Sequence, residues 1–405
     1  METLPEEVIL MIFEYLPFRT LIVVAQVCQR WKYLLRRRLL EVRRQEDLRR
    51  SHCGIIAVLI SGSIDSLSSC MTTVVDVIPH LRQLTIHATY PLGARCVDDL
   101  LRLRHLDHLD VFIQERRIES RWSPLLLRLS SLVINETLTP GVLISMAAGE
   151  RLRCLNMYGR SWHFPARELT PVLQARREHL TELTLRCTEL ADAAFEIIGR
   201  CERLTSLQLY SCWLLTSRGA QHVVRPRGLR RLHVTGARML RSGALHAFVR
   251  SLPPALEDLC LSAGRFEDEH APPLARRLPG LKAFELWRCE VTSHNILKMV
   301  REMPALRTLD LDIVLSEVEL ASLTKHPSLS YVRYLFKKRS SEVELKEVYM
   351  NRRCGGESYQ PYLRGLPQRG GGEGYRASLF YYWTQDRRLP VVVGGSQDNE
   401  EFVAV

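Results

Sequence analysis

A six-residue pattern, apolar-x-x-apolar-x-apolar, starts at Leu81, Leu106, Leu129, Leu152, Leu180, Leu204, Leu229, Leu256, Leu281, Leu306 and Leu329, at intervals of 23 to 28 residues. One such window is unremarkable in a chain that is 46% apolar, but eleven in phase are a period. A unit of this length cannot bury its apolar side alone, so the units must stack and share one elongated core. That reading removes the need to divide 405 residues into two or three unrelated domains.

Each window reads as a short strand whose leucines point into the stack, followed by a helical segment. The fold class is therefore α/β: a solenoid with one parallel sheet and outer helices. The intervening strand residues line a concave surface that is a candidate for binding a protein. Aromatic and arginine side chains most often anchor interfaces, which singles out Phe112, Tyr158, Arg186, Tyr210, Arg231 and Trp287. They stand among polar neighbours such as Asp110, His233, Asp258, Glu285 and Asp310. As surface groups, Tyr158, Tyr210 and Trp287 are expected to be replaceable by Ala at a cost within about half a kcal/mol.

The unit from Leu204 to Leu229 adds Cys212 three residues after its last strand leucine, then Leu215-Thr216 and Gly219. It resembles the cysteine-containing class of leucine-rich repeat, and Cys289 before Val291-Thr292 repeats the arrangement. The resemblance implies a small polarisable group at a turn where backbone bonds cross the stack. Cys187 comes one residue early, so the array is irregular. Cys53, Ile56 and Val58, 28 residues before Leu81, suggest a first strand, and the solenoid is assigned to residues 53–336 with about 11 to 12 repeats. Residues 337–405 form a tail in which Gly355-Gly356 and Gly370-Gly371-Gly372 mark a linker. Its strand-like segments, Ser378 to Trp383 and Val391 to Val393, are suited to capping an open end of the stack, or to folding onto the concave face.

Residues 1–48 are different. Thr3-Leu4-Pro5-Glu6-Glu7 carries a helix start, with a capping Thr, Pro in the first turn and acids at the positive end of the dipole. Val8, Ile9, Ile12, Phe13 and Leu16 then follow helical spacing until Pro17. A second helix starts at Thr20 and a third, basic one at Trp31. Three short helices leave an apolar face, either for the rest of the chain or for a partner. The order Leu4-Pro5-x-Glu7-x-Ile9-x-x-Ile12-Phe13-x-x-Leu16, then Leu21 and Val27-Cys28-x-x-Trp31, resembles the F-box of ubiquitin-ligase receptors without a gap. That family docks on a Skp adaptor, and the resemblance carries this role onto Leu4, Pro5, Ile9, Ile12, Leu16, Leu21, Val27, Cys28 and Trp31.

Other chemistry is poorly marked. The formal charge of +11 is dispersed, so no specific nucleic acid is expected as a partner. Eleven scattered cysteines with no secretory leader point to reduced thiols in the cytoplasm or nucleus. No apolar run reaches the roughly 18 residues of a membrane span. There is no Cys-x-x-Cys pair, His105-x-x-His108 lies along a strand, and no nucleophile has a base at an interpretable spacing, so no metal, cofactor or catalytic residue is expected. The resemblance implies a substrate-recognition subunit of an SCF-type ubiquitin ligase. It would bind a Skp-family adaptor, and through it a cullin and a RING subunit, and hold a protein substrate on the repeats. A non-degradative F-box scaffold or sequestering protein uses the same two modules, and a basic nucleic-acid or membrane-surface binder is the remaining alternative.

Overall fold

The computed structural model describes residues 57–62, most of 71–337, and residues 343–349 and 391–395. Two compact units partition the chain: residues 1–151 with 375–405, and residues 152–374.

In the first unit, strands β1 (Ala57–Gly62), β2 (Gln83–Ala88), β3 (His108–Ile113) and β4 (Ser131–Ile134) pair in parallel in sequence order. Helices α1 (Ala94–Arg102), α2 (Ser123–Leu126) and α3 (Pro140–Ala148) alternate with them. Val58, Leu84, Leu109 and Leu132 stand in one cross-strand register. This places β1 two residues later than the Cys53-Ile56-Val58 reading, in which Val58 matched Ile86. A shift of two preserves which side chains face inward, so the apolar pattern alone does not separate the two registers. Strand β14 (Val391–Gly395) lies parallel to β1, with Val58 opposite Val391. The Val391 to Val393 segment thus covers the β1 edge, while Ser378 to Trp383 and the glycine-rich stretch lie outside the described residues.

In the second unit, the parallel series is β5 (Cys154–Met157), β6 (Glu182–Arg186), β7 (Ser206–Tyr210), β8 (Arg231–Thr235), β9 (Asp258–Ser262), β10 (Ala283–Leu286), β11 (Thr308–Val314) and β12 (Tyr331–Lys337). The helices are α4 (Ala166–Arg176), α5 (Asp192–Ile198), α6 (Ser217–Val223), α7 (Ser242–Ser251), α8 (Ala271–Arg277), α9 (Ser293–Arg301) and α10 (Glu317–Thr324). Leu155, Leu183, Leu207, Leu232, Leu259, Phe284, Leu309 and Val332 align across all eight strands. Every one of them is fully buried. Each such side chain contributes about 1.5–3 kcal/mol of transfer free energy, which is why the leucine period fixes the register. Strand β13 (Val343–Tyr349) then pairs antiparallel with β12 and stops the parallel series.

Successive repeats are also tied where helices begin. Thr216 caps α6 by accepting from the Arg218 amide at 3.2 Å, and its hydroxyl donates to Asp192 Oδ2 at 2.6 Å. Thr292 caps α9 and donates to Asp268 Oδ1 at 3.0 Å. Ser316 and Glu319 form a capping box at α10, and Glu319 also accepts from Ser293. One carboxylate therefore serves a neighbouring repeat's hydroxyl each time, the next repeat's for Asp192 and Asp268 and the preceding one's for Glu319, aligning neighbouring helices.

The uneven cysteine spacing has a backbone cause. Ser211, Gly236 and Arg288 have φ of 57°, 73° and 54°, and each lies two residues after the last core residue of its strand, Leu209, Val234 or Leu286. The extra left-handed residue lets the Cys212 amide donate to Thr235 O at 2.8 Å. Cys187, without one, donates to Tyr210 O at 2.7 Å. Gly236 is followed by buried Ala237, which takes the position of the cysteine.

Close stacking sets one test. A Cβ at Gly199 would lie 2.6 Å from the His222 carbonyl oxygen of the next repeat. Gly199→Ala is therefore expected to destabilise the protein by about 2 kcal/mol, since only a backbone shift relieves the clash. An unchanged denaturant midpoint would contradict this packing.

Candidate functional site

On the strands of the second unit, the residues between the leucines form the open face of the sheet, away from the core. Its central row runs Asn156, Thr184, Gln208, His233, Cys260, Glu285, Asp310 and Arg333. Parallel pairing stacks each of these side chains beside the next about 4.8 Å away, so polar groups interact from repeat to repeat. The result is a polar lattice laid over an apolar core.

Three clusters organise it. Tyr210 donates its phenolic O–H to Gln208 Oε1 at 2.7 Å. Arg231 Nε donates to Asp258 Oδ2 at 2.9 Å, and His233 Nε2 lies 3.0 Å from Asp258 Oδ1. Arg333 pairs with Asp310 and stacks over Trp287, its guanidinium carbon 4.9 Å from the ring centroid. Cys260 lies between them, next to Glu285.

Burial tunes these groups. It pushes the Cys260 thiol well above its ordinary range, reinforced by the Glu285 carboxylate, so this thiol stays protonated. Burial also raises the Tyr210 phenol, with Cys260, Glu285 and Asp258 adding to the shift. For Asp258, burial raises the carboxyl, but the bonds from His233 and Arg231 outweigh it and leave it below the usual carboxylate range. Among the buried polar atoms of the central row, Asn156 Oδ1, His233 Nδ1, Glu285 Oε2 and Arg333 Nε have no hydrogen-bond partner among the described residues. Such atoms are places where water or the polar groups of a ligand dock.

The residues singled out from the sequence divide as follows. Arg186 and Tyr210 stand directly opposite each other, Arg231 belongs to the Asp258 cluster, and Trp287 carries Arg333. Tyr158 lies outside the described residues. Tyr210 and Trp287 are half-buried and held by neighbours, so their removal is expected to cost more than the half kcal/mol of a free surface group. Arg333 and Cys260 were not among the anchors read from the sequence.

Phe112 is half-buried on β3 of the first unit. Its strand neighbour Asp110 has its carboxyl pushed up to about 6 by burial, against opposing effects of the Thr85 hydroxyl and His108. The folded-state value exceeds the unfolded value of about 3.9, so the folded state binds the extra proton between them. Stability from this group is thus present at low pH and lost as pH rises from about 4 to about 6. Asp110→Asn is expected to raise stability at pH 7.5 by about 1 kcal/mol and to change little at pH 4. Equal shifts of the unfolding midpoint at both pH values would contradict the assignment.

Residues 1–41 match the family model described as F-box-like. No curated protein matches the chain. Among solved structures, the yeast Rad7 and Elc1 complex aligns over 68% of this chain and 73% of that chain, at 15% identity and a TM-score of 0.51. The chain thus carries an F-box-like segment at residues 1–41, and its described residues share the solenoid fold of leucine-rich-repeat proteins. An internalin, InlF of Listeria monocytogenes, aligns over 71% of this chain and 82% of its own at 13% identity and a TM-score of 0.40. The nine adaptor-docking candidates, Leu4 to Trp31, fall within the matched segment and outside the described residues. No described helix is long and apolar enough to cross a membrane.

Proposed function

We propose that this protein is a non-catalytic substrate receptor of an SCF-type ubiquitin ligase, acting in the cytoplasm or nucleus. The observation that carries the reading is the F-box-like segment at residues 1–41 on a chain whose repeats present an open polar lattice with aromatic anchors. Leu4, Pro5, Ile9, Ile12, Leu16, Leu21, Val27, Cys28 and Trp31 dock on a Skp-family adaptor, which brings a cullin and a RING subunit. The open face of β5 to β12 holds a protein substrate: Arg186, Tyr210, Arg231 and Trp287 supply contact groups, and Asn156, His233 and Glu285 offer polar atoms that have no partner among the described residues. Ubiquitin transfer is accelerated because substrate and loaded enzyme are held at high effective concentration, with no reacting group from this chain.

The test is direct binding of purified Skp-family adaptor to the full chain. Leu4→Ala with Pro5→Ala removes two docking side chains and the Pro-primed helix start, so affinity is expected to fall at least tenfold. Undiminished binding would contradict the adaptor assignment.

A further inference from the structure

The formal charge of +11 is dispersed along the sequence, but the fold of the second unit gathers it. Its parallel strands all begin on one side of the sheet, so the segments that carry the chain from a helix end into the next strand form one edge. Those at the ends of α4 to α10 are residues 176–181, 199–205, 224–230, 250–257, 276–282, 301–307 and 325–330. Together they hold twelve Arg and two Lys against four Glu, a net of +10 on 48 residues. We infer that this edge binds the phosphate backbone of double-helical DNA, without regard to base sequence.

Helix ends account for only part of this charge. A helix C-terminus presents about half a negative charge, so seven of them call for about 3.5 positive charges, and more than half of the edge's excess remains. Arg203, Arg227, Arg230, Lys282 and Arg307 stand next to the strands, beyond the last helical turn, where that attraction has faded. The strand ladder reaches one rung into these segments: the amides of Arg230, Lys282 and Arg307 donate to the carbonyls of Thr205, Glu257 and Lys282 at 2.8, 2.8 and 2.7 Å. The rung therefore repeats about every 4.8 Å on fixed backbone, and from Arg153 to Ser330 it covers about 34 Å, one turn of duplex DNA.

Glu257 is already bonded by Arg230 at 2.8 Å and Lys282 at 2.6 Å. Arg203, Arg227 and Arg307 are exposed, and no ion pair among the described residues engages them. Arg250, Arg276 and Arg277, from two successive repeats, line one cleft of about 320 Å³ with Pro273. Arg277 is anchored there by donating Nε to the Leu252 carbonyl at 2.6 Å. Planar guanidiniums match phosphate oxygens in bidentate pairs, which suits an edge built from Arg rather than Lys.

The class of partner follows from the absence of apolar anchors. The seven segments contain no Phe, Tyr or Trp, and the large exposed apolar residues described in the second unit, Leu214, Val314 and Val318, lie outside them. Protein interfaces centre on buried aromatic or apolar anchors, single strands stack on aromatic rings, and membrane-surface elements insert apolar side chains. Duplex phosphates require only regularly placed cations.

The experiment follows the fluorescence anisotropy of a labelled DNA duplex of about 20 base pairs and mixed sequence, titrated with the full chain at about 50 to 200 mM NaCl. A Kd of about 1 μM at the lowest salt, weakening at least tenfold at the highest, is expected. Arg203→Glu with Arg227→Glu should weaken binding at least tenfold and reduce the log–log salt slope by about two. Arg218→Glu with Lys298→Glu makes the same charge change at exposed helical positions outside the edge, and should weaken binding less than threefold. None of the four side chains is buried, so both variants should melt with the wild type; the milder Arg203→Gln with Arg227→Gln, expected to lose at least threefold, serves if the Glu pair unfolds. Equal losses in the two Glu variants would place binding on overall charge or on the arginines of the first fifty residues. That result, no binding at the lowest salt, or tighter binding of duplex RNA, a single strand or polyglutamate than of duplex DNA would each overturn the inference.

Discussion

Arg333→Ala is expected to destabilise the second unit by about 3 kcal/mol, the largest loss from any single side chain of the open face. Asp310 is buried, with its side chain only 9% exposed, and Arg333 is its ion-pair partner. Removing the cation leaves the carboxylate in a low-dielectric site and also uncovers the face of Trp287. The size of the effect depends on whether one partner or both are removed. Asp310→Asn with Arg333→Met removes both charges together and should recover most of the loss, because a buried ion pair adds little over an apolar replacement of similar size. Chemical denaturation of the wild type, Arg333→Met, Asp310→Asn and the double variant closes the double-mutant cycle. A loss below about 0.5 kcal/mol for Arg333→Ala would mean the pair is solvated and contributes little.

Tyr210→Ala combined with Trp287→Ala should lose substrate binding by at least tenfold. These two rings supply the rigid, low-entropy contact area of the face, and such anchors dominate binding energy. Unlike fully exposed groups, they also hold the lattice: Tyr210 donates to Gln208, and Trp287 supports Arg333. The double variant is therefore expected to lose about 1–2 kcal/mol of stability per site while remaining folded. Tyr210→Phe separates the two effects, keeping the ring and removing only the bond to Gln208. It should cost about 1 kcal/mol of stability and little binding. If Tyr210→Phe loses binding as fully as the Ala variant, the phenolic oxygen rather than the ring is the contact.

The sequence shows the repeat because burial of leucine at fixed positions is the dominant free energy of the stack, and that burial requires periodicity. The same alternation places Tyr210 and Trp287 on the open face, since residues one position from a core leucine must point the other way. What it hides are features set by contacts between repeats. Ser211 and Arg288 adopt positive φ although neither is glycine or asparagine, and nothing in their identity marks them. Arg333 escapes notice because it lies on the last parallel strand, where its partners Asp310 and Trp287 come from the two preceding repeats. Strand β13 alternates Val343, Leu345 and Val348 only loosely and lies beyond the last leucine window, so it reads as tail although it closes the β12 edge. The basic residues of the edge where strands begin share no short motif; only the repeat spacing brings them together.

The division of labour between the two modules is most directly tested by one quantitative affinity purification of three full-length proteins. They are the wild type, Leu4→Ala with Pro5→Ala, and Tyr210→Ala with Trp287→Ala. The account predicts that the first double variant loses the Skp-family adaptor and its cullin but keeps the other wild-type partners. The second should keep the adaptor and cullin and lose those partners. Loss of both sets by either folded variant, or retention of both sets by both variants, would contradict it.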